Sequence, residues 1–318
     1  MNTKLKKQVP LTFLVVAAVT ALFGAGMSQA TAEPVSNGDV SSTAISTSEA
    51  QAAQDYWTPE RMKAAIPGDS LVADKVAGPT VQPQTGLPTT VPAQQPVLRA
   101  TSGPLTPISN IGKVFFTING SGYVCSGNSV NSTNGSTVST AGHCMNEGPG
   151  VYYKDFVFVP AYENGAAPYG KWPARTLIAT SQWVNNGDIN YDTGFAVVST
   201  LNGKRLADVV GASGVAFNQS RGLNYTAYGY PAAAPYDGQR LWSCAGKATN
   251  DRINSGNTTQ GIPCTMTGGS SGGPWFIGTG SNGLQNSVNS YGYNGVQMMY
   301  GPYWGTVIQN TYKTAAAA

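Results

Sequence analysis

The segment TGGSSGGPW, Thr267 to Trp275, sets a pair of serines among four glycines. Glycine tolerates positive φ and lets another backbone come close, so this run builds a tight turn with accessible amide groups. A serine on such a turn is a weak nucleophile until an imidazole takes its proton. The chain contains one histidine, His143, within STAGHC, Ser139 to Cys144. An imidazole in that role needs a buried carboxylate to fix its tautomer and stabilise its cation. YDTGFAVV, Tyr191 to Val198, places Asp192 at the mouth of an apolar strand. The three segments together read as acyl-transfer chemistry, with Ser271 as nucleophile, His143 as base and Asp192 as orienting anion. The amides of Gly269 and Ser271 are the expected donors to the oxyanion.

Each piece is weak alone. A histidine beside a cysteine reads equally well as a core residue, and a Gly-Ser run is more often a loop. Chain order discriminates. Gly269 to Gly273 also fits the GxSxG elbow of α/β-hydrolases, but that fold carries its histidine after the serine. No histidine follows Ser271. A subtilisin-type order needs an aspartate before the histidine, and every aspartate ahead of His143 lies at or before Asp74. The order that remains is His–Asp–Ser, with gaps of 49 and 79 residues. Asp188 competes with Asp192 for the acid's place. It sits in the polar loop NNGDIN, whereas Asp192 directly precedes the apolar strand.

From Asn110 onward the pattern is β. Short strand-like runs at 113–118, 123–130, 137–141, 155–160, 171–180, 195–199, 223–230, 240–244, 272–277 and 284–291 are separated by Gly, Asn and Ser. Strands this short and closely spaced point to barrels or sandwiches. Only Trp304 to Ala315 reads as a helix, with Val307, Ile308 and Tyr312 on roughly one face.

The boxes TAGHC and GGSSGGP resemble the histidine and serine boxes of chymotrypsin-like serine peptidases, and YDTGFAVV is similar to that family's aspartate strand. The resemblance covers about residues 106–315 and is nearest the secreted microbial members, including the glutamyl-endopeptidase branch. It implies an all-β, trypsin-like double barrel: two six-stranded antiparallel β-barrels, about 106–203 and 204–318, with a C-terminal helix. It implies a Cys125–Cys144 disulfide pinning the histidine loop, which leaves Cys244–Cys264 in the second barrel. Each closes a loop of about 20 residues, worth roughly 3 kcal/mol in the chain-entropy model. It places Thr265, six residues before the nucleophile, at the base of the substrate pocket, and Ser290-Tyr291-Gly292 as the strand that pairs with the substrate backbone. An acid at the pocket base would select basic residues; Thr265 does not. A glutamate preference stays open, because a Thr hydroxyl helps bind a carboxylate although no second histidine exists. Ser270 stands where the animal enzymes carry the aspartate that pairs with the new N-terminus after activation. That ion pair is unavailable to a hydroxyl, so activation here runs by another route.

The rest of the 318-residue chain frames this unit. Charged residues make up 10%, with a net charge of +3, which excludes a dedicated nucleic-acid surface. One histidine excludes multi-His zinc sites, and neither a metal nor a cofactor is expected. Residues 1–32 carry Lys4, Lys6 and Lys7, an apolar run from about Val9 to Met27, and Ala30-Thr31-Ala32. That is the pattern of a signal peptide, in preference to a membrane anchor. Four cysteines in a secreted chain favour two disulfides. Residues 33–105 hold two aromatics, Tyr56 and Trp57, and are rich in Pro, Thr, Ala and Gln. They read as a propeptide, largely extended or disordered, with one short helix at about 58–65 started by Thr58 and Pro59. YWTPERM, Tyr56 to Met62, is similar to propeptides of secreted microbial peptidases. Cleavage is expected between Leu98 and Pro107. The expectation is a secreted, monomeric serine endopeptidase acting on polypeptides, with its own propeptide as inhibitor or folding aid and no stable membrane association. The competing reading is a catalytically silent binding protein on the same fold.

Overall fold

The computed structural model describes Met1 and residues 35–72, 75, 83–96, 108–278 and 280–318. The rest of the expected signal peptide and the expected cleavage window lie outside these residues. In chain order, the N-terminal part contributes β1 (Val35–Asn37), β2 (Val40–Ala44), α1 (Thr47–Tyr56), α2 (Pro59–Ala64), β3 (Ile66–Pro67) and β4 (Thr89–Val91).

The first barrel consists of β5 (Ile111–Ile118), β6 (Ser121–Val130), β7 (Thr137–Thr140), β8 (Lys154–Pro160), β9 (Trp172–Thr180) and β10 (Gly194–Val198). It is antiparallel throughout. Pairing runs β8-β5-β6-β7-β10-β9 and closes through β9–β8. α3 (Ser181–Asn186) follows β9, and α4 (Leu206–Val210) lies in the connection between β10 and the strands of the second half. The second half contains β11 (Val215–Phe217), β12 (Asn224–Gly229), β13 (Trp242–Lys247), β14 (Thr249–Asn250), β15 (Gln260–Pro263), β16 (Pro274–Ile277), β17 (Gln285–Val288) and β18 (Met298–Gly301). Helix α5 (Thr306–Ala317) closes the chain.

The double-barrel, trypsin-like architecture stands, but the second half is not one closed cylinder. It forms a six-stranded sheet, β13-β12-β16-β17-β11-β4, and a three-stranded sheet, β14-β15-β18. The β11–β17 pair is parallel. Beyond Asn110, the strands missed from the sequence are here. Val215–Phe217 is only three residues long, and Gln260–Pro263 contains Gly261 and Pro263, which weaken or end a ladder.

The expectation that residues 33–105 are extended or disordered is corrected for the described part. β2 joins the open edge of β9, β3 pairs with β6, and β4 pairs with β11. Helix α1 starts at a capping box, with the Ser46 side chain accepting from the Glu49 amide and the Glu49 carboxylate accepting from the Ser46 amide. Trp57 is fully buried; its indole donates to the Asp155 carbonyl at 2.7 Å and its ring lies 5.2 Å from Phe115. Too poor in aromatics to build its own core, the segment completes one already present. On β5, Val114 and Phe116 face the barrel interior while Ile111 and Phe115 pack outward with Ala53, Trp57 and Met62. β8 repeats the pattern, with Phe156 and Phe158 inside and Val157 and Val159 outside. An antiparallel strand apolar on both faces needs a cover on its outer face; Tyr162, Tyr230 and Phe276 supply part of it and the N-terminal segment extends it.

α5 packs back on the first barrel. Trp304, just ahead of it, stacks on Phe217 at 5.5 Å and lies 5.9 Å from Phe195; Tyr312 is within 5.7 Å of both rings. One aromatic cluster thus joins β10, β11 and α5.

Candidate active site

His143 lies in a 3-10 turn, Gly142–Cys144, just beyond β7. The disulfide Cys125–Cys144 ties that turn to β6, and Cys244–Cys264 ties β13 to the strand end after β15. Asp192 ends a second 3-10 turn, Ile189–Tyr191, immediately before β10. Both side chains are fully buried. Asp192 Oδ2 lies 2.7 Å from His143 Nδ1, and Oδ1 accepts the His143 amide at 2.8 Å. Ser290 Oγ donates to Oδ2 at 2.6 Å. Burial alone would raise the Asp192 pKa, but the facing imidazole and the hydrogen bonds from His143 and Ser290 hold it below the usual carboxylate value. Asp188 goes elsewhere: it accepts from the Asn190 amide at 3.0 Å and the Asn190 side chain at 2.8 Å. Trp183 packs edge-on to His143 with centroids 6.3 Å apart, and a Cβ on Gly142 would meet its indole at 2.7 Å. The other imidazole nitrogen, Nε2, is buried without a hydrogen-bond partner.

The serine turn is built from backbone. Gly269 has φ +92° and Gly272 has φ +80°. A Cβ on Gly272 would lie 2.1 Å from Thr140 Oγ1 and 2.4 Å from the Ser126 carbonyl, so no larger residue fits. Within the turn the amides of Ser270, Gly272 and Gly273 donate to Thr267, Asn289 and Ser270 carbonyls. Among the described residues, no backbone carbonyl receives the amides of Gly269 or Ser271. Ser126 locks the turn to the first barrel: its amide donates to the Ser271 carbonyl at 2.7 Å and its hydroxyl to the Gly269 carbonyl at 2.9 Å.

A cavity of about 1090 Å³ opens beside this turn, lined by Thr265, Ser271, Ser290, Tyr291 and Gly292 among others. All the pocket positions expected from sequence therefore border one space. Thr265 Oγ1 lies 3.0 Å from the Tyr236 hydroxyl. Asp69 and Val72, from the N-terminal segment, line the same cavity. A Cβ on Gly268 would fall 1.8 Å from Asp69 Oδ1, and one on Gly68 would fall 2.8 Å from Cys125 Sγ. Burial raises the Asp69 pKa, opposed by amides of its own turn and by the charge of His143. Nothing in the Pro- and Thr-rich composition of the segment signals that Asp69 reaches this site. Cys125, His143 and Cys144 have ligand atoms within 4.8 Å of one another, but both sulfurs are consumed in the disulfide and this is no metal site.

The fold matches that of solved peptidases. A protease from Arthrobacter nicotinovorans, called Anisep, is 62% identical over 72% of this chain and all of its own, with a TM-score of 0.66. The chain belongs to the chymotrypsin-like serine peptidases. A thermostable serine protease, AL20, from an extremophilic microorganism is 52% identical over 66% of this peptidase and 98% of its own chain, with a TM-score of 0.64. A Glu endopeptidase shares the fold at 17% identity and a TM-score of 0.52. No family model and no curated protein matches.

Proposed function

We propose that this peptidase is an extracellular endopeptidase made as a precursor, with Ser271, His143 and Asp192 as its catalytic triad. The carrying observation is the asymmetric imidazole: His143 Nδ1 is clamped by a buried anion, while Nε2 is buried and unpartnered. A buried polar atom left unpaired is costly and calls for a function. In this reading Ser271 Oγ attacks the scissile carbonyl carbon as Nε2 takes its proton. The Gly269 and Ser271 amides hold the resulting oxyanion. Collapse breaks the C–N bond, and His143 returns the proton to the leaving amine. Water then repeats the sequence on the acyl-enzyme and frees Ser271.

Among the described residues lining the cleft, Asp69 carries the only charged side chain. Once the segment bearing it leaves, the pocket around Thr265, Met266 and Met298 is neutral. A substrate with an uncharged side chain before the scissile bond fits it best. The N-terminal segment acts in this reading as the precursor's cleft occupant and as cover for β5 and β8. Two disulfides and the three-lysine N-terminus with its apolar run support export.

A fluorophosphonate probe tests both parts. Processed protein should label at Ser271, Ser271→Ala should not, and the unprocessed chain should label far more slowly. Absent labelling of folded, processed protein would sink the catalytic reading in favour of a binding protein on this fold. Equal labelling before and after processing would sink the occupant role alone.

A further inference from the structure

Behind the cleft, a second buried carboxylate organises the wall that carries Ser290, Tyr291 and Gly292. Asp251 follows β14 and is 3% exposed. Its Oδ2 accepts the Tyr293 hydroxyl at 2.6 Å, the Tyr291 hydroxyl at 2.9 Å and the Asn257 side-chain amide at 3.3 Å. Its Oδ1 accepts the Ile253 and Asn254 amides at 2.9 and 3.0 Å. Burial pushes this carboxyl's pKa up, but the donors, led by the Tyr293 hydroxyl, outweigh it and hold it low. Five donors on one side chain demand a group that only accepts, which is an ionised carboxylate.

The two tyrosines are part of the wall. Tyr291 and Tyr300 exchange backbone hydrogen bonds, and their rings stack 5.1 Å apart. Tyr293 stands edge-on to both rings, at 5.6 and 5.3 Å. Tyr291, Tyr293 and Asn254 all line the cleft. The loop that Asp251 opens is fixed at its far end to the first barrel. Asn190 Oδ1 accepts the Thr258 amide at 2.6 Å and the Thr258 hydroxyl at 3.0 Å. Asn190 is two residues ahead of Asp192. The wall is therefore held against the acid twice: directly through Ser290, and through Tyr291 and Tyr293, Asp251, Thr258 and Asn190.

We infer that Asp251 is a positioning residue, which sets the Tyr291–Tyr293 part of the wall so that an extended peptide can pair along it. The inference rests on the peptidase reading above. Asp251 touches neither Ser271 nor His143, so its effect falls on binding remote parts of a substrate and not on the bond-breaking step. Asp251→Asn keeps the size but turns one oxygen into a donor. That donor then faces either two backbone amides or the tyrosine and asparagine donors, and the wall loses its anchor.

The test compares an extended peptide substrate with a small blocked amino-acid ester that fills only the pocket. In processed protein, Asp251→Asn should lower kcat/KM for the peptide about 10-fold, mainly through KM, and leave the ester within about 2-fold. Tyr293→Phe, at a half-buried position, should shift the same ratio in the same direction by about 3-fold; it carries the test should Asp251→Asn not fold. Equal losses on both substrates, as a merely structural role gives, or no loss on either, would overturn the inference. A wild-type protein inert to ester, peptide and probe would fail the peptidase reading instead.

Discussion

The two sides of the cleft are made by different means. The first barrel supplies His143 and Asp192, held by side-chain hydrogen bonds, ring packing and a disulfide. The second half supplies Ser271 on a turn held mainly through its backbone groups, by backbone bonds and by the side chains of Ser126, Ser270 and Asn289 donating to its carbonyls, and by glycines with no room for a Cβ. Proton handling depends on which chemical groups face the imidazole. Oxyanion binding depends on where amide groups point. The first can be tuned by exchanging side chains; the second is lost when the backbone moves.

If that contrast holds, the largest effect of a near-isosteric change belongs to the first barrel. Asp192→Asn should cost about 10⁴-fold in kcat with little change in KM, the scale set by a wrong imidazole tautomer. Steady-state kinetics on the ester checks it; a loss below about 10-fold would break the contrast.

On the second side, Gly272→Ala removes no chemical group and should still cost about 10²-fold or more in activity. The added Cβ meets a backbone carbonyl and Thr140 Oγ1 at a φ of +80°, with a stability loss of about 2–4 kcal/mol. Denaturant unfolding alongside kinetics separates the two losses. Ser290→Ala sharpens the comparison. It deletes one of the bonds on Asp192 but leaves His143 N and Nδ1 in place, so about a 10-fold loss is expected.

A last effect, on stability and not on activity, concerns what joins the two sides. Lys113 on β5 is 1% exposed; its ammonium donates to the Gly238 carbonyl at 2.9 Å and lies 4.4 Å from the Tyr162 ring centre. Burial pushes its pKa down to about 7, against the pull of Asp237. The folded chain then releases this proton near pH 7, while the unfolded chain keeps it until about pH 10.4. Between those values the unfolded state binds more protons, so stability rises with pH, by roughly 1.4 kcal/mol per unit at most. Denaturant midpoints from pH 7 to 9 should climb more steeply for the wild type than for Lys113→Met. Parallel slopes would show that the lysine is not buried between the halves in solution.

How far the chain was readable follows from the same contrast. Thr58-Pro59 started α2 as expected, and the strands of the first barrel fell within a few residues of the runs read from the sequence. The Ser46–Glu49 capping box was also there to read, but the composition around it pointed to disorder. The near-continuous apolar runs of β5 and β8 carried a further sign, since two apolar faces require a cover. Short strands with glycine, proline or methionine, such as Gln260–Pro263 and Met298–Gly301, carried no usable alternation.

Residue type and local spacing were enough to propose the chemistry: one histidine, a glycine-set pair of serines, and an aspartate entering an apolar strand can take few roles, and their order along the chain narrows the fold. Pairings across long separations were not legible. That Asp69 meets Gly268, that Trp57 covers Phe115, and that Asp251 gathers Tyr291 and Tyr293 all depend on contacts between residues 40 to 199 positions apart. Such contacts form only when burial of apolar surface offsets the entropy of closing long loops, a balance struck by the whole folded chain and written in no short segment of it.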